Sequence, residues 1–294
     1  ESGYFENGYE PGLSVIEFQA ERPVLEKSSS TIRGTVNSHL SVEPRSIQFA
    51  RINTIGDWRW RKGNQSITWE FYVSEDGLYN IGIRNLQWWH DGLPVYRQIE
   101  INDKVPFREM LSYRFEHKRR WETNLLSNQN GNPYNFYLTK GHHTITLTVK
   151  LGEMTPVIQS LYYDNLAMSE LILNIIMITG SDPDVNYDYQ LVSKIPNLKQ
   201  TLKDLQDSLS EKSEYVSSLA TKNPGIANQF RQVSRMLNIM IRDPESIPRR
   251  LNDLRNAQSS LSSWYLGIQD QPILLDRFEI VPSGKSTRHV RVTV

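Results

Sequence analysis

The stretch that most limits how this chain can fold is residues 272–282, PILLDRFEIVP. It reads as a strand, with Leu275 and Phe278 turned toward a core, yet it follows a long run of helical pattern. A lone strand leaves its backbone N–H and C=O groups without partners and cannot stabilise itself. It must therefore pair with a sheet built from residues far earlier in the chain. The helices are then an insertion ahead of the last strand of a β-domain. A helical domain simply appended to a finished sheet is the competing layout.

The earlier residues can supply such a sheet. Residues 67–84, ITWEFYVSEDGLYNIGIR, alternate apolar and mixed positions on both sides of a turn at Ser74, Glu75, Asp76 and Gly77, which predicts an antiparallel hairpin. Ile67, Trp69, Phe71 and Val73 form the apolar face of its first strand, and Tyr79, Ile81 and Ile83 restart the alternation. Gly77 is expected to use the positive φ open to glycine. Further strands are predicted at 15–21, 47–52, 97–101, 105–107, 134–138 and 144–149, with a tight turn at Asn102 and Asp103. Residues 28–44 and 116–133 read as long loops. Roughly eight strands at irregular spacing argue for a β-sandwich.

Near Met154 the period changes from two to about 3.6. Val157, Leu161, Met168, Leu171, Ile172 and Ile175 line a first helix ending near Gly180. Leu198, Leu202, Leu205, Leu209, Val216 and Leu219 form the seam of a second. Asn223-Pro224 opens a third, lined by Ile226, Phe230, Val233, Leu237 and Met240. Asp243-Pro244 gives the same signal for a fourth, running through Ile247, Leu251, Leu254, Leu261, Trp264 and Ile268, with Pro248 in its first turn. Short connections favour antiparallel neighbours and hence a small bundle. The organisation that follows is a linker at 1–14, a sandwich over 15–152 with 271–294, and a bundle over 153–270.

Lys and Arg number 33, as do Asp and Glu, so charge offers no reason to expect nucleic acid as a partner. The basic run at residues 117–120 is flanked by Glu116 and Glu122 and reads as a solvated turn. With no cysteine, disulfides, thiolate zinc sites and thiol catalysis are excluded. The longest apolar run, 171–178, contains Asn174 and is too short to span a bilayer. Residues 1–10 lack the pattern of a signal peptide, and residues 288–294 stop within a strand-like pattern, so the chain is expected to be a fragment of a larger protein.

Four stretches in order carry a resemblance. They are VIEFQAE (15–21), the hairpin at 67–84 with its Val-x-x-x-Gly spacing, FYLTKGHHTITLTV (136–149) and PILLDRFEIVP. Together they resemble the galactose-binding-like carbohydrate-binding modules, families six and thirty-five in particular, over about residues 15–150 and 271–282. The helical stretch, with IIMITGSDPD (175–184) and DPESIPRRLND (243–253), resembles the central region of large extracellular solute-binding proteins of Gram-positive ABC sugar importers, which carry such sandwich modules. The resemblance implies a galactose-binding-like jelly roll with an inserted helical bundle, an extracellular or cell-surface location, carbohydrate as ligand, and other domains of the same longer chain as partners. It implies no enzyme activity.

Two candidate sites follow. In QWWHDGLPVY (87–96), Trp88, Trp89, His90, Asp91 and Tyr96 put aromatic rings and polar groups in one loop. A sugar offers an apolar C–H face and a rim of hydroxyls, which is what such a loop can stack and hydrogen-bond. Trp58, Trp60 and Trp121 lie in other segments that could converge on it. The alternative is that Trp88 and Trp89 point to opposite sides, one plugging the core and one covering the seam with the helices. In the resembled modules, residues at the positions of Gln19, Glu21 and Asp276 hold a structural calcium. Calcium takes six or more hard oxygens, which carboxylates, amides and carbonyls supply. Ordinary polar strand ends paired with Arg22 or Arg277 would also account for these residues.

His142 and His143, adjacent on one strand, face opposite ways and cannot easily share a metal. Glu70 and Glu100 read as solvated strand residues rather than the carboxylate pair of a glycoside hydrolase. No Gly-x-Ser-x-Gly, phosphate loop or His-Glu-x-x-His occurs. The sequence thus supports a non-catalytic module that binds carbohydrate or positions its neighbours. An accessory domain of a polysaccharide-degrading enzyme, or a purely structural unit without a sugar site, remain as alternatives.

Overall fold

The structure, a computed structural model, describes residues 8–45 and 50–285. These divide into two compact units. The first holds residues 8–89, 94–152 and 271–285, and the second residues 90–93 and 153–270. The strand expected at 47–52 falls largely outside the described residues, as does the strand-like pattern at 288–294.

The first unit is a sandwich of two antiparallel sheets. Sheet one is built from β1 (Ile16–Gln19), β3 (Gly34–Thr35), β4 (Thr54–Gly56), β6 (Gly77–Gln87), β9 (Lys118–Leu125), β10 (Phe136–Leu138) and β12 (Leu274–Pro282). Sheet two runs in the order β2 (Val24–Lys27), β5 (Ser66–Val73), β11 (Gly141–Lys150), β7 (Val95–Ile101) and β8 (Tyr113–Phe115). The alternation seen in the sequence sets the inner faces. Ile67, Trp69, Phe71 and Val73 of β5 are all buried, as are Ile145, Leu147 and Val149 of β11 and Ile99 and Ile101 of β7. Aromatic rings join the two layers. Trp69 lies 4.8 Å from Phe278 of β12, which stacks on Phe18 of β1 at 4.9 Å, and Phe18 lies 5.8 Å from Phe71. The Trp69 indole N–H donates to the Ala20 carbonyl at 2.7 Å, so the one polar atom of this ring is satisfied.

β12 enters the sheet between β6 and β1, with Phe278 opposite Ile83 on one side and Phe18 on the other. The strand of residues 272–282 thus pairs with segments read nearly 200 and more than 250 residues earlier, and the helices are an insertion before the final strand. The point of re-entry is held by Arg97. Its buried guanidinium lies 4.2 Å from the Trp60 ring centre and donates to the carbonyls of Gln271 (2.6 Å), Tyr96 (2.8 Å) and Trp60 (3.3 Å). Burial pulls its pKa down to about 9.

Several readings change, and the strand expected at 105–107 does not form. Residues 118–125, expected as loop, form β9 against β6: Trp121 and Thr123 are buried, Trp121 against Val42 and Leu274 in a cluster apart from the main core, while Lys118, Arg119 and Arg120 give the stretch a polar look. Residues 10–14 are not free linker: Leu78 N donates to Glu10 O (2.9 Å), Gly12 N to Leu78 O (3.1 Å), and Leu13 and Ser14 N–H both reach Glu75 Oε1 (2.9 Å). That strap explains Gly77, whose backbone does not take positive φ. A Cβ there would lie 2.6 Å from the Gly12 backbone, so close approach of two backbones is what requires glycine. Gly77→Ala is expected to lower stability by about 1–3 kcal/mol, read as a shift in the urea midpoint at unchanged m. The tight turn at Asn102 and Asp103 does form, with both residues at positive φ.

The second unit is built on four helices, α1 (Thr155–Thr179), α2 (Leu198–Leu219), α3 (Gly225–Arg242) and α4 (Leu251–Ile268). Every residue named for the first two helical seams is buried. Phe230 meets Trp264 edge-on at 5.4 Å. The fourth helix begins later than its Asp-Pro signal suggests. Pro244 and Pro248 each open a single 3-10 turn, since proline interrupts the hydrogen-bond ladder, and the α-helix proper starts at Leu251. Between α1 and α2 a buried ion pair, Lys212 Nζ to Asp164 at 2.7 Å, is completed by the Ser208 hydroxyl, which donates to the other Asp164 oxygen at 2.9 Å.

Candidate functional site

Gln19, Glu21 and Asp276 come together because β1 pairs with β12, with Gln19 opposite Arg277. The pairing register of β12 against β6 shifts between Leu275 and Arg277, at the position of Asp276. Asp276 is fully buried. Its Oδ2 accepts the Arg84 Nε–H at 2.8 Å, and its Oδ1 has no hydrogen-bond partner. Glu21 Oε2 is also buried without a partner. One terminal atom of the Gln19 amide lies 2.7 Å from the Glu43 carbonyl oxygen and 3.3 Å from that of Asp276. As nitrogen that atom donates to both; as oxygen it joins them in a cluster of acceptors.

Orphaned buried oxygens are costly unless something positive meets them. Burial pushes the Asp276 carboxyl up to about 6, against the pull of the Arg277 and Arg84 guanidiniums. Burial also raises Glu21, and the neighbouring Asp276 charge adds to this. The adjoining charges are already matched: the Arg277 guanidinium reaches Glu279 (3.1 Å), Glu43 (3.2 Å) and Glu17 (3.3 Å). The remaining oxygens of Gln19, Glu21 and Asp276, with the Glu43 and Asp276 carbonyls, are of the hard type that calcium takes. Among the described residues no three His, Cys, Asp or Glu side chains cluster as a metal site, so such a cation would depend on amide and carbonyl oxygens as well. The Glu43 carbonyl could not be found from sequence, because a main-chain oxygen leaves no mark on residue type.

The aromatic residues divide. Trp58, on the 3-10 turn Asp57–Arg59, meets Trp89 edge-on with ring centres 6.4 Å apart, and Trp89 lies 5.3 Å from Trp88. Trp58 is 45% exposed and Trp88 is 56% exposed, while Trp89 packs partly against Val42, Trp121 and Leu274. Arg61 adds a cation at 5.2 Å from the Trp58 ring centre, a contributor that the sequence reading did not single out. These three indoles form one exposed patch on the sandwich.

The other members of the expected set lie elsewhere. Trp121 and Tyr96 are buried: Trp121, on β9, packs with Val42 and Leu274, and Tyr96 belongs to β7. Trp60 is wholly buried in the sandwich core, 6.3 Å from Trp69. His90 and Asp91 group with the helical unit, where Asp91 pairs with Lys222 at 2.5 Å and the Gly92 carbonyl accepts the Thr221 N–H at 3.0 Å. The loop therefore changes allegiance after Trp89. Both His90 and Asp91 have positive φ.

Comparison with known proteins bears on the helical unit first. Residues 156–268 match the family model of the bacterial solute-binding protein, 4-helix bundle domain. The match covers less than half of the chain and coincides with the four helices. No curated protein matches the chain. Among solved structures, the chain is similar to a family 35 carbohydrate-binding module from Clostridium thermocellum, at 15% identity over 47% of this chain and 88% of that one, with a TM-score of 0.32. A family 35 module from an environmental isolate is similar at 15% identity over 47% of this chain and 82% of that one, with a TM-score of 0.30. The CBM36-1 domain of a multidomain xylanase from the hindgut metagenome of Trinervitermes trinervoides is similar at 12% identity over 47% and 84%, with a TM-score of 0.29.

Proposed function

We propose that this chain is a non-catalytic, carbohydrate-recognising part of a larger extracellular solute-binding protein serving a bacterial ABC sugar importer, of the kind found in Gram-positive organisms. The observation that carries the reading is the patch of Trp58, Trp88 and Trp89 on the sandwich. Three solvent-reaching indoles on one face are costly to leave bare and suit the C–H face of a sugar ring. The family match of the helical unit supports the solute-binding context. Calcium, held by Gln19, Glu21 and Asp276 with the Glu43 carbonyl, has a structural role in this reading, tying β1 to β12. No helix of the described residues is long and apolar enough to cross a membrane.

A glycan array covering plant and microbial oligosaccharides tests the sugar reading. Each of Trp58→Ala and Trp88→Ala is expected to weaken binding roughly threefold to tenfold, as befits one stacking contact, and the double variant to remove it. Folded wild-type protein that binds none of these glycans would overturn carbohydrate recognition and leave a role in positioning neighbouring domains.

A further inference from the structure

Residues 39–45 touch both candidate sites of the sandwich. Toward the oxygen cluster, the Glu43 carbonyl oxygen lies 2.7 Å from the Gln19 amide, and the Glu43 carboxylate meets Arg277 at 3.2 Å. The Arg84 guanidinium joins the cluster to the segment. Its Nε–H donates to Asp276 at 2.8 Å, and its Nη2 donates to the Ser41 carbonyl at 3.1 Å and the Ser41 hydroxyl at 3.0 Å. Toward the tryptophans, Val42 alone of the segment is buried. It packs with Trp121 and Leu274, and Trp89 and Leu86 close on the same small cluster. Ser41, Val42 and Glu43 are consecutive, so the contacts to the two sites stand within two Cα steps, about 8 Å. The Gln19 amide gives this junction two settings. Through its nitrogen it holds the Glu43 carbonyl as a donor. Turned over, it sets oxygen against oxygen, an arrangement that holds only with a cation between them.

We propose that residues 39–45 couple occupancy of the Gln19, Glu21 and Asp276 cluster to the setting of the Trp89 ring, with Val42 as the positioning residue. A cation that takes the Glu43 carbonyl together with the side-chain oxygens favours one setting of the amide, and so one path of the main chain beside Val42. Close packing carries a small main-chain shift there to the indole, since interior contacts yield little. A sugar stacked on Trp89 favours the ring setting that suits it. Two ligands that bias one element are linked, and the linkage is reciprocal: calcium tightens sugar binding by the factor by which sugar tightens calcium binding. The effect on sugar affinity rests on the carbohydrate and calcium readings above, whereas the coupling itself shows in the surroundings of Trp89.

Fluorine NMR of the full 294-residue chain carrying 5-fluorotryptophan reads the coupling. The seven tryptophans give seven lines, assigned by single Trp→Phe changes. When calcium chloride replaces chelator, the Trp89 line is expected to move, while that of Trp264, in the helical unit, holds its place. Val42→Ala is expected to lose most of the Trp89 shift yet keep the calcium-dependent rise in melting temperature. Val42→Ile, which keeps the apolar contact, is expected to retain the shift. An unmoved line from Trp60, wholly buried in the sandwich core, shows that a variant is folded, and the wild-type comparison needs no variant. For a glycan that binds on the array, Kd is expected to be about fivefold lower with calcium than with chelator, and nearly equal in the two for Val42→Ala. A rise in melting temperature with an unmoved Trp89 line overturns the coupling alone, as does a full shift in Val42→Ala. No rise in melting temperature removes the cation, and the coupling with it. Binding of no glycan overturns carbohydrate recognition and leaves the fluorine shift to decide the coupling.

Discussion

Removal of residues 271–294 is expected to abolish folding of the sandwich while leaving the helical signal in place. All nine residues of β12 are buried, and the strand pairs with β1, β4 and β6. Without it, β1 and β4 lose their place in sheet one, the ladder edge of β6 opens, and Leu275, Phe278 and Ile280 leave the core. A single Phe278→Ala change should itself cost about 3–5 kcal/mol, a large part of the 5–15 kcal/mol typical of a domain. Loss of the whole strand exceeds what the remaining contacts can offset. Six of the seven tryptophans lie in the sandwich unit, so indole fluorescence follows that unit while circular dichroism at the helix band follows the four helices. The truncated chain should show red-shifted emission and no cooperative fluorescence transition in urea. A sharp transition with native emission would mean that the helices are appended to a self-sufficient sheet after all.

Calcium should raise the melting temperature, and Glu21→Gln should erase most of that gain. A ligand of the native state at 100 times its Kd stabilises by about 2.7 kcal/mol, equivalent to roughly 5–10 °C for units of this size. The sign of the pH dependence follows from the raised carboxyl pKa values. Asp276, pushed up to about 6, and Glu21, also raised, hold protons in the metal-free fold at pH values where the unfolded chain has released them. Without a cation these groups favour the fold at low pH, and the contribution is lost as pH rises through about 6. A cation must displace those protons, so its stabilisation is small near pH 5 and grows as pH rises through 6 toward 7. Paired melting curves with calcium and with chelator, taken across that range, measure the difference. An identical Tm with calcium and chelator at pH 7 would remove the metal from this site. Glu21→Gln is the cleaner variant, because Asp276→Asn also disturbs the buried pair with Arg84.

Much of the architecture was legible in the order of patterns. The alternation in residues 67–73 named the inner face of β5, and the helical seams named the bundle core, because burial on one side is what both periods record. Strand β9 was harder to see, since buried Trp121 and Thr123 are set among Lys118, Arg119, Arg120 and Glu122, and such a charged stretch looks like a loop in composition. The oxygen set of Gln19, Glu21 and Asp276 could be named only through a resemblance, for the residues lie more than 250 positions apart and one contributing oxygen is a main-chain carbonyl.

By itself, the sequence determined that residues 272–282 had to return to an earlier sheet, because an isolated strand cannot satisfy its own backbone. It also determined the two periodicities and the point at which they exchange. Which aromatic residues reach solvent was decided by tertiary structure alone. Trp58, Trp60, Trp88, Trp89, Tyr96 and Trp121 are alike as residue types, but two are well exposed, one is half-buried and three are interior. Exposure depends on which strand or turn covers each ring, and that cover comes from segments remote in the chain.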